Sequence, residues 1–131
     1  MSTKSPAEAT ARRLIGEYNK GTPDWVGACH AQSTEWIELP FLGGAGRRGG
    51  LAELRQAAEL QVANFPDRRM KLLNVIASDN QAALEVEWTG TAARDTAWAK
   101  AGAKLTLRAV LILTVKDGWV TKEVDYVIPM P

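Results

Sequence analysis

The segment Ala103-Lys-Leu-Thr-Leu-Arg-Ala-Val-Leu-Ile-Leu-Thr-Val115, the punctuation Lys116-Asp117-Gly118 and the run Trp119-Val-Thr-Lys-Glu-Val-Asp-Tyr-Val-Ile128 together decide the fold. Two β-prone runs joined by a glycine-bearing turn predict a hairpin. In the first run Leu105, Leu107, Ala109, Leu111 and Leu113 alternate onto one face, which is therefore dry, while Thr106, Arg108, Val110, Ile112 and Thr114 form a mixed face. The turn then governs Asp125. A two-residue Asp117-Gly118 turn sets Val115 opposite Val120 and puts Asp125 on the mixed face, diagonal to Arg108, as an ion pair. A three-residue turn with Gly118 left-handed sets Val115 opposite Trp119 and puts Asp125 on the Leu107-Ala109-Leu111 row, as a carboxylic acid among hydrocarbon. A one-residue slip flips every side chain, and composition leaves both registers open.

Outward from the hairpin, 131 residues suit one domain spanning 1–131, with a short polar tail at 1–5. Sixteen Lys and Arg against fifteen Asp and Glu leave a formal charge of +1 with no basic stripe, which argues against nucleic-acid and anionic-membrane partners. One cysteine, Cys29, excludes a disulfide framework, and one histidine beside it does not make a metal site, so no metal is expected. No stretch has the length of a signal peptide or a membrane span, and a cytoplasmic protein is expected.

Ser5-Pro6-Ala7-Glu8 opens a helix, with Ser5 as cap, Pro6 in the first turn and Glu8 placed to reach back. Ala11, Leu14, Ile15 and Tyr18 share its inner face, and Asn19-Lys20-Gly21 ends it. Thr22-Pro23 starts a second, short helix to about His30, where the imidazole reads as a helix-end cap or a partly exposed group. Gln32–Leu39 reads as a strand stopped by Pro40. Phe41–Gly50, with five glycines around Arg47-Arg48, reads as a flexible flap; it lacks the Lys-Ser/Thr pair of a phosphate loop. Leu51–Ala63 is a third helix ended by Phe65-Pro66-Asp67. Strands follow at Met70–Ala77 and Gln81–Thr89. On the latter, Leu84, Val86 and Trp88 face one way, and Glu85 with Glu87 form the solvated face. Gly90–Gly102 is a long connection carrying Trp98, the kind of loop that rims pockets. The order α-α-β-α-β-β-β-β predicts an α+β fold, a curved mixed or antiparallel sheet with three helices on its concave face.

Several pieces, in this order and spacing, resemble the SnoaL-like polyketide cyclases of the nuclear transport factor 2-like and ketosteroid-isomerase-like superfamily. They are Tyr18-Asn19-Lys20-Gly21, Trp36-Ile37-Glu38-Leu39-Pro40, Gly49-Gly50-Leu51, Phe65-Pro66-Asp67, Val86-Glu87-Trp88-Thr89-Gly90-Thr91, Leu107-Arg108, Asp117-Gly118-Trp119-Val120 and Asp125. The resemblance covers about Ala7–Ile128. It implies a cone-shaped fold around an apolar pocket, a small carbonyl-bearing apolar metabolite, no cofactor, and Asp125 as acid/base in an aldol-type or isomerase-like reaction. It also favours the three-residue turn. The groups that a ketosteroid isomerase uses would fall at Leu39, Leu14 and Leu111, all hydrocarbon. An epoxide hydrolase's partners of Asp125 would fall at Ala109 and Leu111. Ketosteroid-isomerase activity is not expected, and an epoxide-hydrolase-like enzyme ranks below the cyclase reading.

Substrate contacts are expected from Trp36, Glu38, Leu39, Trp88, Leu107, Ala109, Leu111, Glu123 and Val127. A carboxyl facing Leu107, Ala109, Leu111 and Val127 loses hydration, which favours its neutral form. The opposite sheet face, with Val110, Ile112, Val124, Tyr126 and Ile128, is too apolar for water alone and predicts a homodimer. A non-catalytic binding or dimerisation module is the alternative, in which Asp125 pairs with Arg108.

Overall fold

The computed structural model describes residues 5–130, so the tail expected at 1–5 lies outside the described residues up to Lys4. Helix α1 (Pro6–Tyr18) is capped as its sequence predicts: the Ser5 hydroxyl accepts from the Glu8 amide at 3.1 Å. The Glu8 carboxylate does not reach back but accepts from Arg12, one turn on. Ala7, Ala11, Leu14 and Tyr18 are buried along one stripe. Helix α2 (Trp25–Cys29) is a single turn, shorter than expected, and strand β1 (His30–Glu38) follows directly. Helix α3 (Leu51–Asn64) opens with the Glu53 carboxylate accepting from the Gly50 amide at 2.7 Å.

The glycine-rich stretch is not wholly a flap. Arg47–Gly49 forms a short strand, β2, antiparallel to β1, with Glu38 opposite Arg47. Charge pairing supplies what the glycine content obscures: Arg47 makes two hydrogen bonds to the Glu38 carboxylate, at 2.9 and 3.1 Å. Strands β3 (Arg69–Ala77), β4 (Gln81–Thr91), β5 (Lys104–Lys116) and β6 (Trp119–Pro129) complete a six-stranded sheet in the order β2-β1-β6-β5-β4-β3. It is mixed, because β1 runs parallel to β6. The alternation of β5 holds: Leu107, Ala109, Leu111, Leu113 and Val115 are all buried, against the helices. Among the described residues no helix is long and apolar enough to cross a membrane.

The hairpin resolves the register in a way that neither simple turn describes. Asp117 and Gly118 both take positive φ, 53° and 81°, as in a two-residue turn, and Val115 pairs with Val120. The ladder then slips: Thr114 pairs with Lys122, leaving Thr121 as an extra residue whose hydroxyl donates to the Thr114 carbonyl at 3.2 Å. This β-bulge reverses the alternation beyond it. Glu123 comes to face Leu113, Asp125 faces Leu111 and Val127 faces Ala109. The turn favoured by the resemblance is therefore corrected to two residues, and the facing it implied for Asp125 is reached through the bulge.

Candidate functional site

The central pair of strands brings the acids under the helices. Glu123 and Asp125 lie two residues apart on β6, opposite Leu113 and Leu111 on one side and Trp36 and Glu38 on the other. A cavity of about 60 Å³ opens there, walled by Tyr18 and Trp25 from the first two helices, Leu54, Ala57, Ala58 and Gln61 from α3, and Trp36, Glu38, Arg47, Met70, Leu111, Glu123 and Asp125 from the sheet.

Asp125 is partly buried. Its Oδ2 accepts from the Trp36 indole N–H at 3.0 Å, while Oδ1 is shielded from solvent and makes no hydrogen bond. Burial holds its proton affinity well above the ordinary carboxyl range, reinforced by Glu123 alongside and offset in part by the Trp36 hydrogen bond. Glu123, only 2% exposed, is likewise raised, chiefly by burial. No ion pair joins Asp125 to Arg108, whose Nε is buried without a partner and which stands on β5 opposite Ile128 of β6.

His30 departs most from its expected place. It is 3% exposed, not at a wet helix end: Nδ1 lies 3.0 Å from the Val26 carbonyl, and Nε2 lies 2.7 Å from Oε1 of Glu123. Loss of hydration holds its pKa down to about 4, against the Val26 hydrogen bond and the negative field of Asp125. The segment flips from α2 into β1 at His30, and the parallel pairing of His30 with Val120 carries the ring inward.

Of the residues expected to touch substrate, Trp36, Glu38, Leu111 and Glu123 do wall the cavity with Asp125. Trp88, Leu107 and Ala109 do not; they are buried core, and the Trp88 indole donates to the Tyr18 hydroxyl at 2.8 Å. Val127 packs against that core, and Leu39 lies past the end of β1, its amide donating to the Asp125 carbonyl at 3.0 Å. Thr121 is spent in the bulge.

Sequence reasoning missed Tyr18, Trp25, Gln61, Arg47 and His30. A turn beyond Leu14 on the same helical face, Tyr18 does bring a phenol to the cavity, but its oxygen already accepts from Trp88 and donates to Gln61. Burial raises its pKa well above that of a free phenol. The Trp25 Nε1 is buried without a partner. Arg47 stacks 5.2 Å from the Trp36 ring centre and also borders a neighbouring cleft of about 240 Å³ lined by Asn64, Phe65, Thr96 and Trp98. Trp98 stacks near Phe65 and Phe41, so the long loop does rim a pocket. Cys29 is buried with its thiol pushed up to about 11 by loss of hydration, which keeps it protonated and unreactive. Among the described residues no group of three or more His, Cys, Asp and Glu could hold a metal.

The sequence matches no curated protein. Its fold is similar to AclR of Streptomyces galilaeus, a candidate hydroxylase, with a TM-score of 0.81 at 16% identity over 95% of this chain and 80% of that one. It is similar to IdmH of Streptomyces antibioticus, a candidate polyketide cyclase, with a TM-score of 0.79 at 15% identity over 95% and 92%. A SnoaL-like polyketide cyclase of Agrobacterium tumefaciens gives 0.72 at 13% identity over 95% and 92%. At these identities the likeness is one of fold. The sequence itself matches the SnoaL-like domain over residues 11–123, stopping two residues short of Asp125. With that match spanning most of the chain and the fold agreeing, the protein belongs to the SnoaL-like domain family.

Proposed function

We propose that the protein binds a small apolar carbonyl compound beneath its helices and performs cofactor-independent acid/base chemistry on it, of the aldol-cyclase or isomerase type, with Asp125 carrying the proton. The observation that carries this reading is the Oδ1 of Asp125, shielded from solvent, unpartnered and on a residue that walls the cavity. A carboxyl held neutral by burial can give a proton to a carbonyl oxygen near neutral pH. The unpartnered Trp25 N–H, on the same cavity wall, suits a ligand oxygen, since a buried donor left unpaired costs ~1–3 kcal/mol until something accepts from it. Proton transfer of this kind contributes typically ~10²- to 10⁴-fold, and orientation within the cavity adds the rest.

The decisive experiment compares wild type with Asp125→Asn for α-carbon deuterium exchange and ring closure across a panel of enolisable ketones and 1,3-dicarbonyls. The reading requires turnover that disappears in the variant; unchanged turnover and pH dependence overturn it. The same reading takes the chain as a homodimer through its outer sheet face. Tyr126 at 44% and Ile128 at 60% exposure support that, and sedimentation of a monomer would refute it.

A non-catalytic binding module is favoured by one observation, the small volume of the cavity, about 60 Å³. Under that reading the Asp125→Asn variant binds the same ligands and no compound turns over.

A further inference from the structure

Resting on the reading of Asp125 as proton carrier, we propose that His30 is the terminal acceptor of a proton relay that runs from Asp125 through Glu123. The direction of the relay follows from hydrogen-bond chemistry. The Val26 carbonyl can only accept, so at 3.0 Å His30 Nδ1 carries a hydrogen and donates it. A single proton then lies between Nε2 and Oε1 of Glu123 across 2.7 Å, because two would collide and none would leave two lone pairs opposed. Burial disfavours charge on both partners, so the resting arrangement is a neutral ring accepting from a protonated Glu123.

Glu123 therefore has no hydrogen left for its second oxygen, and any hydrogen between it and the adjacent Asp125 carboxyl belongs to Asp125. The hydrogen bonds on either side point the same way, Trp36 to Asp125, Glu123 to His30 and His30 to Val26, and Asp125 stands two residues from Glu123 on the same inward face of β6, on the wall of the same cavity. The other charged and titratable groups around the chain are committed elsewhere. Glu38 from β1 is held by Arg47 of β2, Tyr18 of α1 is hydrogen-bonded to Gln61 and Trp88, and Arg68 donates to the Tyr18 and Thr22 carbonyls while stacking on the Tyr18 ring. Cys29 beside His30 stays protonated.

The relay answers a chemical difficulty. A neutral Asp125 has no carboxylate with which to remove a proton from carbon. Through the relay it needs none. As the ligand C–H bond breaks, its electron pair stays behind as an enolate and a new O–H bond forms on Asp125. The proton Asp125 held passes to the free oxygen of Glu123, and the Glu123 proton passes from Oε1 to Nε2. Both carboxyls end neutral, the imidazolium is the counter-ion of the enolate, and the reverse shift protonates the alkoxide formed on ring closure. His30 touches no substrate in this scheme; it acts through Glu123.

The test needs no substrate, since His30 is the only histidine and its ring nitrogens are unambiguous in a ¹⁵N spectrum of the whole chain. The relay requires Nδ1 protonated and Nε2 bare and accepting from pH 5 to 8. It also requires the Nε2 resonance to move on Asp125→Asn, although Asp125 contacts neither ring nitrogen, and that response to vanish in Glu123→Gln. A ring that titrates near its ordinary pKa, or an Nε2 indifferent to Asp125→Asn while Glu123 is present, overturns it. Should Glu123→Gln fail to fold, the single Asp125→Asn comparison still decides. Lost turnover in Asp125→Asn with unmoved ring signals would leave the acid/base reading standing and remove the relay; moved ring signals without any turnover would do the opposite.

Discussion

Trp36 donates its indole hydrogen to Oδ2 of Asp125 across the parallel β1–β6 pair, and this is the one hydrogen bond that favours the charged form of the acid. In Trp36→Phe the ring remains and the donor goes. The carboxylate loses a contact worth ~1.5–3 kcal/mol, so the titration midpoint of Asp125, followed by ¹³C NMR of its side-chain carboxyl, should rise above that of wild type. A midpoint that stays put or falls would mean that the indole is a wall and no more.

Gly118 closes the turn at φ +81° with nothing near its missing side chain. Gly118→Ala therefore meets no clash, only left-handed backbone strain, and urea unfolding should show a loss of ~1–2 kcal/mol. Because the bulge at Thr121 and not the turn sets the facing of Asp125, the carboxyl titration should be unchanged in this variant. A shifted titration would show that turn and bulge act as one unit.

That division explains how far the amino-acid sequence could be read. Period-2 patterning assigned the dry face of β5 correctly because hydration alone decides it, and Ser5-Pro6 and Asn19-Gly21 bounded α1 by local backbone chemistry. A bulge has no such local signature: Thr121 is an ordinary strand residue, and its displacement balances Val120 in the core against Glu123 and Asp125 in the cavity, a tertiary compromise. His30 was misplaced for the same reason. Its position after a short helix suggested water, whereas a partner 93 residues later in the chain draws it inside. Arg47 was hidden by its glycines, since the pairing with Glu38 that makes β2 spans nine residues.

Arg47 lies where the 60 Å³ cavity meets the cleft beneath Trp98. Its ion pair with Glu38 is largely solvated on the arginine side, with 42% of that side chain exposed, so Arg47→Ala should cost at most ~1 kcal/mol in stability. Opening the wall between the two spaces should in turn let an apolar fluorescent naphthalene probe bind several-fold more tightly, measured by titration. Equal affinity would show that Arg47 does not gate the cavity.

Asp125 should also make the fold less stable as pH rises. Its folded-state proton affinity lies above that of the unfolded chain, whose carboxyl titrates near 3.8, so between those two values the folded protein binds the extra proton and stability falls with increasing pH. His30 acts in the opposite sense. Its folded pKa of about 4 lies below the free value of 6.5, so its contribution is lost as pH drops through that window. The Asp125→Asn substitution removes the first and keeps the His30 imidazole, whose pKa then falls further without the negative field of Asp125. Relative to wild type, the Asp125→Asn variant should gain about 1.4 kcal/mol for each pH unit above the unfolded midpoint, levelling off once folded Asp125 ionises. Denaturant midpoints of both proteins from pH 3 to 9 measure this difference directly. Curves that run parallel throughout would mean that the acid titrates as it does in water, and with that its buried place on the cavity wall would no longer confer any chemistry.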